Sequence, residues 1–259
     1  MSAPRISAVI ICCDEERHIG ACLESVAWCG ERVVVDSGSA DRTVEIARAA
    51  GARVIERGWP GHVAQKQFAL EQAQGDWIFS LDADERCTPE LRAEIERVTG
   101  DAAPAAEAAC AGFEMRRLAF HLGRWIRHGG WYPDWKLRLV RRGRAHIGGR
   151  DPHDRMIAEG PVGRLHADLL HLTFSDFAAQ IRTIQNFSGI MAAERFRAGR
   201  RFSLLRAVLH PFFKFVGCYL WKSGWRDGWP GFVIAAASAF AVFTRYVKLW
   251  ELQRAARSG

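Results

Sequence analysis

The sequence has no glycine cradle for a nucleotide. No Gly-x-Gly-x-x-Gly follows its first apolar strand signal, and no Gly-x-x-x-x-Gly-Lys-Ser/Thr is present. The first absence excludes the dinucleotide fingerprint and the second excludes a P-loop. The seven cysteines (Cys12, Cys13, Cys22, Cys29, Cys87, Cys110 and Cys218) contain no Cys-x-x-Cys pair. That spacing argues against a small secreted disulfide framework, and an odd number of unpatterned thiols fits a reducing cytoplasm. There is no internal repeat. Long apolar runs are also lacking. Ile6–Cys13 is eight residues long and is followed at once by Asp14-Glu15-Glu16. It is too short and wrongly flanked for a secretory leader, and reads as a buried strand. Gly231–Phe243 is 13 residues, against the roughly 20 that a spanning helix takes.

Charge is abundant, and it is split along the chain. Residues 1–114 carry 11 Lys/Arg and 20 Asp/Glu, a net of −9, whereas residues 115–259 carry 25 and 9, a net of +16. A basic excess spread over more than a hundred residues points to an anionic partner: a phosphorylated substrate, an anionic membrane surface or nucleic acid. Nucleic acid is the weakest of these, because no recognisable nucleic-acid module is present.

The first half alternates strand and helix signals. Short apolar runs at Ile6–Cys12, Arg32–Asp36, Ala52–Glu56 and Trp77–Leu81 predict strands, and helical patterns lie between them at Glu16–Val26, Asp41–Ala50 and His62–Gln74. Asp41 is placed to cap the second helix and Gly51 to stop it. This order predicts an α/β fold with a mostly parallel sheet and helices on both faces, in which ligands sit beyond the carboxyl ends of the strands. Acidic residues gather at those ends: Asp14 and Glu15, then Asp36, then Asp82, Asp84 and Glu85. In an extended segment, residues i and i+2 share a face, so Asp82 and Asp84 point into one space. Alone, Asp-x-Asp marks an acidic turn. Three acidic strand ends in one crevice instead call for a hard cation that also grips a substrate phosphate.

After an Ala-rich insert at Asp101–Ala111, Gly112–His121 and Trp135–Val140 read as further strands. Arg138, Arg141, Arg142 and Arg144 then form the densest basic run, suited to acceptor phosphates. From Phe174 onward the pattern is helical. Phe212, Phe215, Val216, Tyr219 and Leu220 fall on one stripe, and Phe232, Ala236, Phe240, Phe243, Val247 and Trp250 on another. Tryptophans and cations beside these stripes suit a membrane surface. A helical subdomain packed on the sheet, or an oligomer interface, is the rival reading.

Four blocks carry a family resemblance: Ile10-Ile-Cys-Cys-Asp14-Glu15-Glu16, Val35-Asp36-Ser-Gly38-Ser-Ala-Asp41-Arg-Thr43, Gln65-Lys66-Gln-Phe-Ala69-Leu, and Gly75-Asp-Trp77-Ile-Phe-Ser-Leu-Asp82-Ala-Asp84-Glu85. In this order they resemble family-two inverting glycosyltransferases of the GT-A fold. Lys136-Leu-Arg138-Leu, His153-Asp154, Gly163-Arg-Leu165, His171 and Asp227-Gly228-x-x-Gly231 narrow the likeness to the bacterial lipopolysaccharide-core β-1,4-glucosyltransferase group. Two positions depart from the group: Asp14 stands where Asn is usual, and His153-Asp154 where His-Glu is usual.

The resemblance implies a nucleotide-sugar transferase domain over residues 1–173 and a membrane-associated helical extension over 174–259. It implies transfer of a sugar, glucose from UDP-glucose, to a hydroxyl of the lipopolysaccharide inner core at the cytoplasmic face of the inner membrane. A polyprenyl phosphate acceptor is the alternative. A Mg²⁺ or Mn²⁺ ion on Asp84 would absorb the charge of the leaving diphosphate. Asp82 would sit near the ribose, with Asp14, Glu15 and Asp36 recognising base and ribose and Lys66 near the base or diphosphate. Arg138 would serve substrate binding. Asp154 is the expected base, with Asp151 in reserve, since one carboxylate suffices for an inverting attack. His171 either completes the metal shell, orients the diphosphate or is a core histidine.

Overall fold

The computed structural model describes residues 5–150, 153–174 and 176–258. The chain divides into two compact units. One comprises residues up to Arg117 together with Asp134–His171; the other comprises Leu118–Pro133 and Leu172 onward. The segment Leu118–Pro133 therefore groups with the helices, although it lies within the first 173 residues.

The first unit is built on a parallel block. Strands β1 (Ile6–Cys12), β2 (Glu31–Asp36), β3 (Arg53–Glu56) and β4 (Trp77–Asp82) alternate with helices α1 (Ile19–Ser25), α2 (Thr43–Ala49) and α3 (His62–Gln72). The central strand β1 pairs in parallel with β2, Ile10 opposite Val34, and with β4, Ile10 opposite Leu81. β3 adds to the far side of β2. β1 is continuously apolar because both of its faces are covered. Its side chains alternate: Ala8, Ile10 and Cys12 join one core with Ile19, Cys22 and Leu23 of α1, while Val9 joins another with Ala69 and Leu70 of α3. Each fully buried Ile, Leu or Phe here contributes roughly 1.5–3 kcal/mol.

The helix ends follow local chemistry. Gly51, at φ +76°, terminates α2 as a left-handed residue just beyond the helix. Asp41 lies one residue ahead of the capping position, which Arg42 occupies, yet its carboxylate still accepts the Thr43 N–H at 2.9 Å.

Beyond β4 the sheet turns antiparallel. A short strand β5 (Glu85–Cys87) leads to α4 (Pro89–Thr99), where the Thr88 hydroxyl accepts from Leu91 N–H and Pro89 takes the first turn. The Ala-rich insert holds one helical turn, α5 (Ala105–Ala108), ahead of β6 (Gly112–His121). After β7 (Arg124–Ile126) come β8 (Asp134–Arg141), the ribbon β9 (Ala145–Arg150) and β10 (His153–Ala158), and β11 (Val162–Leu172). The strand order is β3-β2-β1-β4-β8-β6-β11-β5, with β7 on β6. β8 runs antiparallel to β4, and β11 places His171 opposite Glu85.

The second unit is helical: α6 (Phe177–Arg197), α7 (Leu204–Val216) and α8 (Gly228–Ser258), with a π turn at Gly217–Trp221 and a 3₁₀ turn at Gly224–Asp227. Asp227 is 1% exposed and accepts the N–H groups of Arg127 and His128 at 3.1 and 2.8 Å. At Gly231 a Cβ would lie 1.9 Å from the Gly224 carbonyl oxygen. The Asp227-Gly228-x-x-Gly231 motif thus ties the start of α8 to the β7 segment. By length and composition alone, α8 is long and apolar enough to cross a membrane. The stripe expected on it is exposed at Phe232, Phe240, Phe243 and Trp250, while Ile234, Ala235, Ala237, Tyr246 and Leu249 are buried.

Candidate active site

The carboxyl ends of β1, β2 and β4 lie side by side, so the acidic residues that follow them share one edge of the first unit. After β2, Asp36 is 1% exposed and holds its own turn. Its Oδ2 accepts the N–H groups of Gly38 and Ser39, both at 2.9 Å, and its Oδ1 accepts the Ser39 hydroxyl. Gly38, at φ +93°, makes that turn possible. Asp36, expected at the base and ribose, is therefore filled by protein donors and shapes the loop that would line such a pocket.

After β1, Asp14 adopts φ +54°, donates its N–H to Ser39 Oγ and accepts the Ala40 N–H at 2.7 Å. Asp and Asn both tolerate the left-handed region and both offer a side-chain oxygen. This is the physical reason Asp14 can stand where the resembled group has Asn. Glu15 donates its N–H to Thr43 Oγ1 at 2.7 Å. Burial pushes the Glu15 carboxyl up to about 7, and the negative charges of Asp84 and Asp41 add to the effect.

The end of β4 is an ion network. Lys66, from α3, bridges two carboxylates: its Nζ is 3.3 Å from Asp82 Oδ1 and 3.0 Å from Asp154 Oδ2 on β10. Arg138, from β8, donates to Asp82 Oδ2 at 2.5 Å and to Glu85 Oε1 at 2.6 Å. Glu85 is fully buried, and its Oε2 accepts the Asp82 backbone N–H at 2.9 Å. Arg117 reaches Glu85 at 3.4 Å and Asp134 at 2.8 Å. Burial alone would raise the Asp82 carboxyl, but the cations of Arg138 and Lys66 outweigh it and hold the group well below the usual carboxylate range. Burial likewise opposes the Arg138 charge, and Asp82 and Glu85 reverse that and push it upward.

Arg138 departs from the expectation of a substrate phosphate contact. It is 7% exposed, and its guanidinium is engaged by carboxylates, so it sets the position of Asp82. Arg141 is likewise turned inward, to the carbonyls of Cys110 and Ala108 and over the Trp77 ring. The role of Glu85 as the hub of the network, and the part played by Arg117, escape a linear reading. A charged residue between Leu137 and the buried Leu139 was the available signal, because a cation in a strand covered on both faces must have partners.

Asp84 Oδ2 lies 3.1 Å from His171 Nε2, which places His171 at the site. Among the described residues no group of three His, Cys, Asp or Glu side chains is arranged to hold a metal. The pair offers one carboxylate oxygen and one imidazole nitrogen and leaves further positions to water and ligand oxygens. That donor set suits an octahedral Mg²⁺ or Mn²⁺ shared with a phosphate, and is too sparse for a closed structural zinc site. The reserve base Asp151 lies outside the described residues. Lys66, Asp82, Asp84, Asp154, Arg138 and His171 are all brought together in the first unit, while Asp14 and Asp36 organise the neighbouring loops.

Residues 7–164 match the model of the glycosyl transferase family 2. A lipopolysaccharide core biosynthesis glycosyltransferase, LpsC of Rhizobium meliloti, is 31% identical over 95% of this chain and 92% of its own length. An uncharacterized glycosyltransferase of Rickettsia typhi is 28% identical over 98% and 89%. Among solved structures, S. aureus TarS 1–349 aligns over 97% of this chain and 92% of that one, with 13% identity and a TM-score of 0.49. Glucosyl-3-phosphoglycerate synthase from Mycobacterium tuberculosis, in complex with Mn²⁺, UDP-glucose and phosphoglyceric acid, aligns over 44% of each chain at 23% identity and a TM-score of 0.36. The parallel block with its acidic edge and the match over residues 7–164 lead to one conclusion: the chain belongs to glycosyltransferase family 2, with a GT-A-type α/β fold.

Proposed function

We propose that the protein transfers a sugar, glucose, from UDP-glucose to a hydroxyl of the lipopolysaccharide inner core, with inversion at the anomeric carbon. The observation that carries this reading is the Lys66 bridge, which joins Asp82 at the strand end to Asp154 across the crevice, 3.3 and 3.0 Å from one ammonium. A donor-side carboxylate and an acceptor-side base held by a common cation match an in-line displacement. The acceptor class is supported by the likeness to LpsC over nearly the whole chain.

Asp154 takes the proton of the attacking acceptor hydroxyl. Lys66 fixes the orientation of its carboxylate and balances one of the two charges beside it. Asp82, kept ionised and pinned by Arg138, accepts a hydroxyl of the donor ribose. The loops built by Asp36, Asp14 and Thr43 wall the space in which the base would lie. A divalent cation held by Asp84 and His171 would supply neutralisation of the charge on the departing diphosphate.

The test is nucleotide release from UDP-, GDP- and TDP-sugars with a core oligosaccharide acceptor, with and without Mg²⁺ or Mn²⁺. UDP release that needs both metal and acceptor is expected, with a β-linked product. Asp154→Asn should lower turnover by roughly 10²–10⁴-fold at unchanged donor affinity. Full turnover in that variant removes Asp154 as the base, and full turnover in excess EDTA removes the metal.

A further inference from the structure

The helical unit contains a cavity of ≈ 830 Å³ where α6 turns into α7. Arg195, Arg200, Arg201 and Arg206 line it, with His210 and Tyr246 among the other walls. Glu194 is the only carboxylate in the lining, and among the described residues none of the four arginines is ion-paired to a carboxylate. The turn itself is rigid. Gly199 takes φ +68°, the Arg200 N–H returns to the Arg195 carbonyl at 2.9 Å, and Gln253 of α8 bonds both the Arg200 carbonyl and the Phe202 N–H. The Tyr246 hydroxyl meets His210 Nδ1 at 2.7 Å. A cavity lined by four guanidinium groups against a single carboxylate carries a net positive charge that suits a phosphate.

The surface next to the cavity identifies what carries that phosphate. α7 starts at the cavity and exposes Leu204, Leu205, Val208, Phe212 and Phe213, at 71, 68, 59, 59 and 51%. With Leu209, at 39%, these form two adjacent rows at a spacing of four, and Arg206, His210 and Lys214 form the row beside them. Trp221, Trp225 and Trp229 follow, each more than half exposed. From Glu194 to Asp227 the chain has eight cations and no carboxylate between them. With 13 residues, α7 is about 20 Å long, too short to cross a bilayer core of about 30 Å. An apolar face edged with cations and tryptophan, too short to span, belongs in the plane of a lipid interface.

We propose that the Arg195–Arg206 cavity binds the phosphate of an anionic phospholipid, with α7 lying flat in the membrane interface beside it. The proposal is independent of the transfer reaction and is tested without it. The full chain is sedimented with phosphatidylglycerol vesicles and with phosphatidylcholine vesicles at 0.1 M salt. Binding to the anionic vesicles is expected, weakened about 25-fold by Arg201→Ala with Arg206→Ala at roughly fivefold per charge. The Lys pair at the same positions should retain most of it, which separates lost charge from lost fold. Leu205→Ser with Phe212→Ser should weaken binding while the arginines stay intact. Equal binding to both vesicle types, or undiminished binding by the Arg-to-Ala pair, overturns the proposal. So does thermal stabilisation by inorganic phosphate, abolished in the Arg-to-Ala pair, in a protein that binds no vesicles; that outcome assigns the cavity to a soluble phosphate.

Discussion

Arg138 in the sheet unit and Arg201 in the helical unit are the same side chain in opposite surroundings. Arg138 is 7% exposed, with Asp82 and Glu85 both on its guanidinium; Arg201 lines an open cavity among three other arginines. The contrast extends to their neighbours. Lys66 and Arg117 each touch two carboxylates, whereas Arg195, Arg200 and Arg206 share the cavity with Glu194 alone among acidic residues. A buried cation is tolerable only when paired, and once paired it becomes a rigid part of the scaffold. A cation left to solvent contributes little to the fold and stays available to a ligand. Arg117 and Arg138 of the first unit hold carboxylates in place, whereas Arg200, Arg201 and Arg206 of the second line the cavity with no carboxylate ion pair among the described residues.

The largest expected effect lies in the aimed carboxylates. Asp84→Ala should lower transfer by about 10³-fold or more, since it removes one of the two proposed ligands of a cation that would contribute several kcal/mol at the transition state. Its circular dichroism and melting temperature should remain near wild type, because among the described residues the Asp84 carboxylate bonds His171 alone. Retained turnover would show that the acidic edge acts without a metal.

Next comes the arginine contrast itself. Arg138→Met takes the shared cation from Asp82 and the fully buried Glu85, leaving them Lys66 and Arg117, and breaking such a network costs about 3–5 kcal/mol. The same substitution at Arg201 should change stability by less than about 0.5 kcal/mol. Urea unfolding of the two variants side by side measures the difference. Equal losses would dissolve the distinction between scaffold and ligand-binding arginines.

The smallest effect is a pH dependence. Glu15 has a folded value of about 7 against 4.5 for an unperturbed glutamate, so the folded chain holds this proton more tightly than the unfolded chain. Stability from this group is therefore full below about pH 4.5, falls as pH rises, and is lost above about 7. Glu15→Gln should remove that slope and gain about 1 kcal/mol on wild type by pH 8, after solvent screening of a half-buried group. Parallel melting curves of the two proteins between pH 4 and 8 would place the Glu15 charge in solvent.

Much of the first unit was legible in the chain. The β1 run matches its predicted bounds because a central parallel strand is apolar on both faces, so the ends of the apolar run mark the ends of the strand. β2 and β4 fall within one residue of their expected ends for the same reason, and the edge strand β3 does so through its short Val54-Ile55 core. The acidic strand ends were legible too, since the carboxyl edge of a parallel sheet is a consequence of βαβ order. The partner of each carboxylate was not. Asp36 looks equivalent to Asp82 in sequence, yet one is closed off by two N–H groups of its own loop and the other faces Lys66. Arg138 in a basic run reads as surface charge until β8 is seen paired with β4.

Sequence alone determined the family, the α/β alternation and the carboxylates available for chemistry, because hydrophobic period and motif order are properties of the linear chain. Tertiary structure alone decided which carboxylate meets which cation. Lys66, Asp82, Arg138 and Asp154 come from four separate elements, and only their packing brings them within hydrogen-bonding distance. It also decided the sense of the C-terminal stripes. Periodicity groups Phe232, Phe240, Phe243 and Trp250 on one side of α8, but burial of Ile234, Ala235 and Leu249 is what turns that side outward.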